Sequence, residues 1–176
     1  MKSDQTKWNS RYQSNPGPAT PSALITQQCD AVAFGRALDI ACGNGRNSLA
    51  LAQRGFDVDA VDISDVAICD VNRLHKNISA CCRDLDIWAI PESRYNLIVN
   101  INFLNRRLFP LIYKGLKPGG RLIFQAFVGE PGERYCLEKG ELRQAFDALD
   151  IIFYRETAIN SPGRFSAKAS LVADRP

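Results

Sequence analysis

Long apolar runs are missing from this 176-residue chain, and nothing approaches the roughly 20 residues that a membrane-spanning helix needs. Histidine occurs once, as His75, and no Cys-x-x-Cys spacing exists, so no zinc or other metal site is expected. Neither sign of charge dominates, with 22 Lys and Arg against 19 Asp and Glu. The net charge is +3, with neither a basic stripe nor aromatics interleaved among cations, and nucleic acid is not an expected partner. The opening Met1-Lys2-Ser3-Asp4-Gln5 carries an early acid and no apolar core, which predicts no signal peptide, no membrane association and a cytoplasmic setting.

What is present fits one globular domain with a sizeable core: 45% hydrophobic and 23% charged residues. The six cysteines, at 29, 42, 69, 81, 82 and 136, suit a reducing compartment. Cys42, Cys69 and Cys81 each follow a small or apolar residue and are expected to be buried thiols, while adjacent Cys81 and Cys82 should point to opposite faces of a strand.

The chain is organised around Ala37-Leu-Asp-Ile-Ala-Cys-Gly-Asn-Gly-Arg-Asn-Ser48, a short buried strand running into a glycine loop that opens a helix. Gly43 and Gly45 tolerate backbone angles that a Cβ forbids and allow a ligand to approach the main chain. The helix turns its free N–H groups toward the same spot. About twenty residues past the first glycine, at the spacing of a ribose-binding acid, Asp62 closes the apolar run 58–61. Position 48, where a dinucleotide fingerprint needs a third glycine, holds Ser48, which disfavours a nicotinamide oxidoreductase. Asp39 waits at the strand end, where a cationic ligand group could be held.

This run resembles the first motif of the class I S-adenosylmethionine-dependent methyltransferases, with Ala41 in place of that pattern's first glycine. The string 38–48 resembles small bacterial methyltransferases grouped with tellurite-resistance proteins. A Phe-Leu-x-Arg continuation after the fourth strand and Leu116-Lys-Pro-Gly-Gly-x-Leu122 before the fifth carry the same likeness. The resemblance implies an α/β, Rossmann-like, doubly wound seven-stranded sheet, mostly parallel, with one antiparallel strand near the C-terminus. It also implies a single methyltransferase domain over 1–176, with an N-terminal lid or linker at 1–21 and the core at 22–176.

Strands are expected at 58–61, 78–82, 95–99, 121–127, 151–155 and 166–173, with Asn160-Ser-Pro-Gly163 as a hairpin-like return between the last two. Helices are expected at 47–54, ended by Gly55, after the N-cap Ser64 with Ala67, Val71 and Leu74 on one face, and at 108–115. Another carries Leu142, Ala145, Phe146 and Leu149. Ser22 could cap a short helix bearing Leu24, Ile25 and Cys29. His75 reads as a surface or capping residue.

Given the resemblance, S-adenosyl-L-methionine is the expected cofactor. Asp39 and the backbone from Ala41 through Cys42, Gly43, Asn44 and Gly45 to Asn47 would hold its methionine part, and Asp62 its ribose. Ile63 and Leu85 would pack beside the adenine, with Asp84 at its border unless that acid is a solvated loop residue. Asn100 and Ile101 end the fourth strand at the same edge. Trp8, Arg11 and Tyr12, at i, i+3 and i+4, share a helix face that either anchors the N-terminus or closes over the cofactor. Asn102, Arg106 and Arg107 are candidate ligands of a small-molecule acceptor, an oxyanion or a thiol-like metabolite, and adjacent arginines at a helix start can equally be solvated. No catalytic acid–base pair is demanded. A non-catalytic cofactor-binding regulator and a nicotinamide enzyme are the rival readings, and the acceptor and oligomeric state stay open.

Overall fold

A computed structural model describes residues 2–15, 17–29, 32–130, 132–133, 135–159 and 165–176. The expected return at 160–163 lies outside the described residues. The strands are β1 (Arg36–Ile40), β2 (Asp57–Asp62), β3 (Ile78–Cys82), β4 (Tyr95–Ile101), β5 (Leu116–Gly129), β6 (Asp150–Ala158) and β7 (Phe165–Asp174). They form one sheet in the order β3-β2-β1-β4-β5-β7-β6. The pairs among β1 to β5 are parallel, and β7 runs antiparallel to both β5 and β6. The expected α/β sheet with one reversed strand is present. Strand order turns back between β1 and β4, so the crevice at their carboxyl ends is where such sheets bind ligands.

The helices are α1 (Lys2–Ser14), α2 (Ala23–Gln28), α3 (Arg46–Gln53), α4 (Asp65–Val71), α5 (Phe109–Gly115) and α6 (Glu141–Ala145), with a 3-10 turn at Arg106–Leu108. Two apolar layers sandwich the sheet. On one face Ile25 of α2, Leu51 of α3 and Val71 of α4 meet Ala37, Val58, Val99 and Ile123. On the other, Ile112 of α5 and Leu142 and Phe146 at α6 meet Leu38, Ile98, Leu122 and Leu171. Helix α1 lies outside the sandwich, fastened to the β2–α4 corner by polar contacts. Asn9 Nδ2 donates to Asp65 Oδ1 at 2.7 Å, and Ser64 Oγ donates to Asn9 Oδ1 at 2.7 Å.

Several local expectations are corrected. The Ala67-Val71-Leu74 stripe stops short, because α4 ends at Val71. There Asn72 leaves the helix and pairs with the backbone of Ala80, donating from Nδ2 at 2.9 Å and accepting at Oδ1 at 2.8 Å. Leu74, beyond the end, is exposed. Helix α6 likewise ends at Ala145, although Phe146 and Leu149 are still buried by the turn that follows. Ser22 precedes α2 but makes no side-chain cap, whereas Ser64 Oγ does accept from Ala67 N. Cys69 and Cys81 are exposed and not buried. Cys81 alternates outward on β3, an edge strand whose inward positions are Ile78 and Ala80.

The Lys117-Pro-Gly-Gly turn is a bulge inside β5. Tyr95 pairs with Leu116 and Leu97 with Arg121, so four residues of β5 loop out against one of β4. Gly119 supplies a φ of 73°, and its N–H donates to Arg175 O at 2.8 Å.

Candidate functional site

Three non-glycine residues have positive φ among the described residues, and two of them end strands at the switch point: Ala41 (54°) after β1 and Asn102 (60°) after β4. Backbone strain of this kind gathers at functional sites. Between them the glycine loop continues with Gly43 at 56° and Gly45 at 74°. Cys42 N donates to Val61 O at 3.0 Å, so the loop is moored to β2.

Asp62 faces the loop. Its Oδ2 accepts from Gly43 N at 2.9 Å and its Oδ1 from Ser64 N at 2.9 Å. The carboxylate thus sets the loop as well as edging the crevice. Burial raises its pKa, and the donated N–H groups of Ser64, Gly43 and Ile63 oppose that rise. Asp39 is deeper, 1% exposed, and Ser48 Oγ donates to its Oδ2 at 2.6 Å. Burial pushes the Asp39 carboxyl up to about 7, with Ser48 pulling it down and the Asp62 charge adding to the rise. Its own burial, and then the charges of the same two acids, push the Cys42 thiol up.

Main chain left bare for a ligand is not what the structure holds at the two glycines. A Cβ on Gly45 would stand 2.8 Å from Val71 Cγ2 and from Leu74 Cδ1, so Gly45 lets α4 pack against the loop. A Cβ on Gly43 would stand 2.6 Å from Tyr12 Oη, so α1 covers this part of the crevice. Tyr12 stacks on Trp8 at 6.0 Å between centroids, and the Arg11 guanidinium lies 5.3 Å from the Trp8 ring centre. Burial, then the Asp62 charge, raises the Tyr12 phenol above its ordinary range.

The segment joining α1 to α2 is lashed to the start of α3. Asn44 Nδ2 donates to Pro18 O at 2.9 Å, Ser22 N to Asn47 Oδ1 at 2.9 Å, and Arg46 Nη1 to Thr20 O at 2.8 Å.

At the far side, Ile63 O accepts from the Cys82 thiol at 3.2 Å, and Leu85 is buried. Asp84 Oδ1 accepts from Asp86 N at 2.9 Å, but its Oδ2 is the one buried side-chain oxygen or nitrogen without a partner among the described residues. Such orphans are rare enough to need a reason. Asn100 is buried and donates to Phe103 O at 2.7 Å, Ile101 is buried beside it, and exposed Asn102 donates its N–H to Gln125 O at 2.7 Å.

The two arginines are committed elsewhere. Arg106 grips Glu141 through Nε at 2.5 Å and Nη2 at 2.7 Å, and donates to Cys136 O at 2.9 Å. Arg107 donates from Nη1 to Leu85 O and Trp88 O and from Nη2 to Ile87 O, at 3.0–3.2 Å. One pins α6 and the other shapes the 85–88 loop, so their forks are occupied by protein acceptors. Sequence reading missed Glu141, the partner of Arg106 from 35 residues away.

A model of the family described as tellurite resistance protein TehB matches residues 11–160. The chain belongs to the TehB family. A probable S-adenosyl-L-methionine-dependent methyltransferase TehB of Haemophilus influenzae is 34% identical over 108 residues, covering 57% of this chain and 35% of the relative. A ubiquinone biosynthesis O-methyltransferase of Coxiella burnetii is 33% identical over 97 residues, covering 49% of this chain and 41% of the relative. The chain thus spans about a third to two fifths of the length of these curated relatives. The crystal structure of TehB from H. influenzae superposes with a TM-score of 0.78 at 20% identity, over 96% of this chain and 67% of that one. At that identity the match speaks for the TehB fold.

No helix among the described residues is long and apolar enough to cross a membrane, and no group of three metal-ligating side chains occurs among them.

Proposed function

We propose that this TehB-family chain is an S-adenosyl-L-methionine-dependent methyltransferase acting on a small-molecule acceptor. The observation that carries the reading is the orphaned Asp84 Oδ2. It is an acceptor held out of water just past β3, one residue from the apolar wall of Leu85, where the exocyclic amine of an adenine would satisfy it. Asp39 and Asp62 support it. Two buried carboxylates influence each other, and among the described residues the only buried cation is Arg121, paired with Asp174. A ligand bearing ammonium and sulfonium charge restores the balance there.

In this reading the Tyr12 hydroxyl swings off Gly43, while Asp39 and the loop from Ala41 to Gly45 hold the methionine part, and Asp62 holds the ribose. Ile63, Leu85, Asn100 and Ile101 line the nucleoside side. Tyr12, with Trp8 stacked on it and Arg11 over the Trp8 ring, closes over the loop, with Asn44 and Asn47 holding the segment behind them. A bound S-adenosylmethionine would supply a methyl group already activated by its sulfonium charge, for transfer to a lone pair of the acceptor. The residues of the chain then have to align the acceptor and exclude water, and no acid–base pair is required. Asn102, strained and exposed at the end of β4, is assigned to the acceptor side in this reading.

Calorimetric titration with S-adenosylmethionine, S-adenosylhomocysteine and NAD tests the cofactor. Binding of the first two and not of NAD is expected, with Asp84→Ala weakening it by about tenfold. Binding of NAD alone overturns the reading. Labelled cofactor incubated with tellurite, selenite and small thiols then tests turnover, and label in none of them at any cofactor occupancy favours a binding module.

A further inference from the structure

A cavity of about 350 Å³ lies over the last three strands, lined by Gln125 of β5, Thr157 and Ala158 of β6, Ile159, and Lys168 and Ser170 of β7. We infer that this cavity is the acceptor pocket of the proposed methyltransferase and that Lys168 binds an oxyanion group of the acceptor in it. The inference rests on the proposed function for the methyl donor, and on the following geometry for the rest.

The cavity is next to the cofactor crevice and on the right side of the sheet. Ile40 pairs with Asn100, Asn100 with Phe124, and Ile101 with Gln125. Gln125 therefore sits at the level of the glycine loop, two strands from β1, which is about 10 Å. Side chains alternate along β5, so Gln125 shares the face of Ile123, the face that carries α2, α3 and Asp39 with its partner Ser48. Ser170 and Lys168 are the cross-strand partners of Gln125 and Phe127 and belong to that face as well. The backbone of Gln125 also anchors Asn102, so the strained end of β4 and the cavity floor are one unit.

The lining suits an anion. Gln125 Nε2 donates to Ser170 Oγ at 2.8 Å, which leaves the serine hydroxyl hydrogen free to point into the cavity. The Lys168 ammonium lies 4.8 Å from the Phe127 ring centre, and among the described residues no carboxylate or carbonyl accepts from it. Burial, then the charge of Arg46, lowers its pKa, the mark of a cation facing a second cation without a counter-charge. Glu156, the acid that could neutralise it from β6, is on the opposite face, where it accepts from Gly140 N at 2.7 Å and Tyr154 Oη at 2.5 Å. The site is thus polarised, with carboxylates under the donor and cations around the acceptor.

The oxyanion has two sources, a free inorganic ion or the carboxylate of a small organic acceptor. Calorimetry of the protein loaded with S-adenosylhomocysteine, using selenite, 3-mercaptopropionate and neutral 3-mercaptopropanol, separates them. Binding of selenite assigns the free inorganic ion, binding of 3-mercaptopropionate without selenite assigns the organic carboxylate, and the neutral thiol should bind more weakly than either. Lys168→Ala should weaken anion binding by about tenfold or more, and Lys168→Arg should retain it, with S-adenosylhomocysteine affinity unchanged in both. Gln125→Glu, which places a carboxylate beside Lys168, should abolish anion binding. Cofactor binding with equal anion affinity in wild type and Lys168→Ala, or with none in wild type at millimolar anion, overturns the pocket alone. Failure of S-adenosylhomocysteine to bind overturns the proposed function, and the acceptor role with it.

Discussion

Ser48 Oγ donates to Asp39 Oδ2 at 2.6 Å in a site with 1% exposure of the acid. The residue that stands where a dinucleotide fold has its third glycine is therefore the partner of a buried carboxyl. That carboxyl is raised to about 7 by its burial, against an ordinary value of 3.8. Between those values the folded chain holds a proton that the unfolded chain has released, so stability falls as pH rises through the window and levels off above about 7. The loss is on the order of 4 kcal/mol. Asp39→Asn removes it. Urea unfolding of the two proteins from pH 4.5 to 8 should show their stability difference shifting across the window; a constant difference defeats the assignment.

Asp62→Ala should cost stability as well as ligand affinity, because Gly43 N and Ser64 N both lose their acceptor. Two buried donors left unpaired cost about 2 to 5 kcal/mol together. Asp62→Asn keeps one acceptor oxygen and should cost about half as much. Chemical denaturation measures both, and an Asp62→Ala variant as stable as wild type would sink the loop-setting role.

The two glycines predict unequal outcomes. Gly45→Ala drives a methyl into Val71, which is fully buried, in a left-handed backbone, and should cost about 2 to 4 kcal/mol. Gly43→Ala meets only the hydroxyl tip of Tyr12, which can swing away, so the backbone strain of about 1 to 2 kcal/mol should dominate. Replacing Tyr12 by Ala in the Gly43→Ala background should then cost less than the same change in wild type. Additive costs in that cycle would remove Tyr12 from over the loop.

The central strands were legible because a parallel sheet buries them on both faces, as the near-continuous apolar run of β4 illustrates. The N-cap at Ser64 and the stop at Gly55 were legible because each is a local rule. Features set by distant partners were not. Arg106 looks like a free anion ligand until Glu141 is folded against it, and Gly45 looks like ligand space until α4 arrives. The early end of α4 depends on Asn72 meeting Ala80 across the turn. Lys168, alone on β7 in the sequence, acquires a role only when β5 brings Gln125 and Phe127 beside it.

Arg107 provides the last test, since it touches three carbonyls of the 85–88 loop and, in the proposed reading, would act on the nucleoside side through Leu85 and the neighbouring Asp84. Arg107→Ala frees that loop and gives Asp84 Oδ2 a route to water, so the adenine amine would compete with solvent for it. The expected result is about tenfold weaker S-adenosylhomocysteine binding, partly restored by Arg107→Lys, whose ammonium can still reach a carbonyl. At saturating cofactor the KM for a methyl acceptor should stay at the wild-type value. A variant with normal cofactor affinity and a raised acceptor KM would instead put Arg107 in the acceptor pocket, and would require its side chain to leave the loop it now holds.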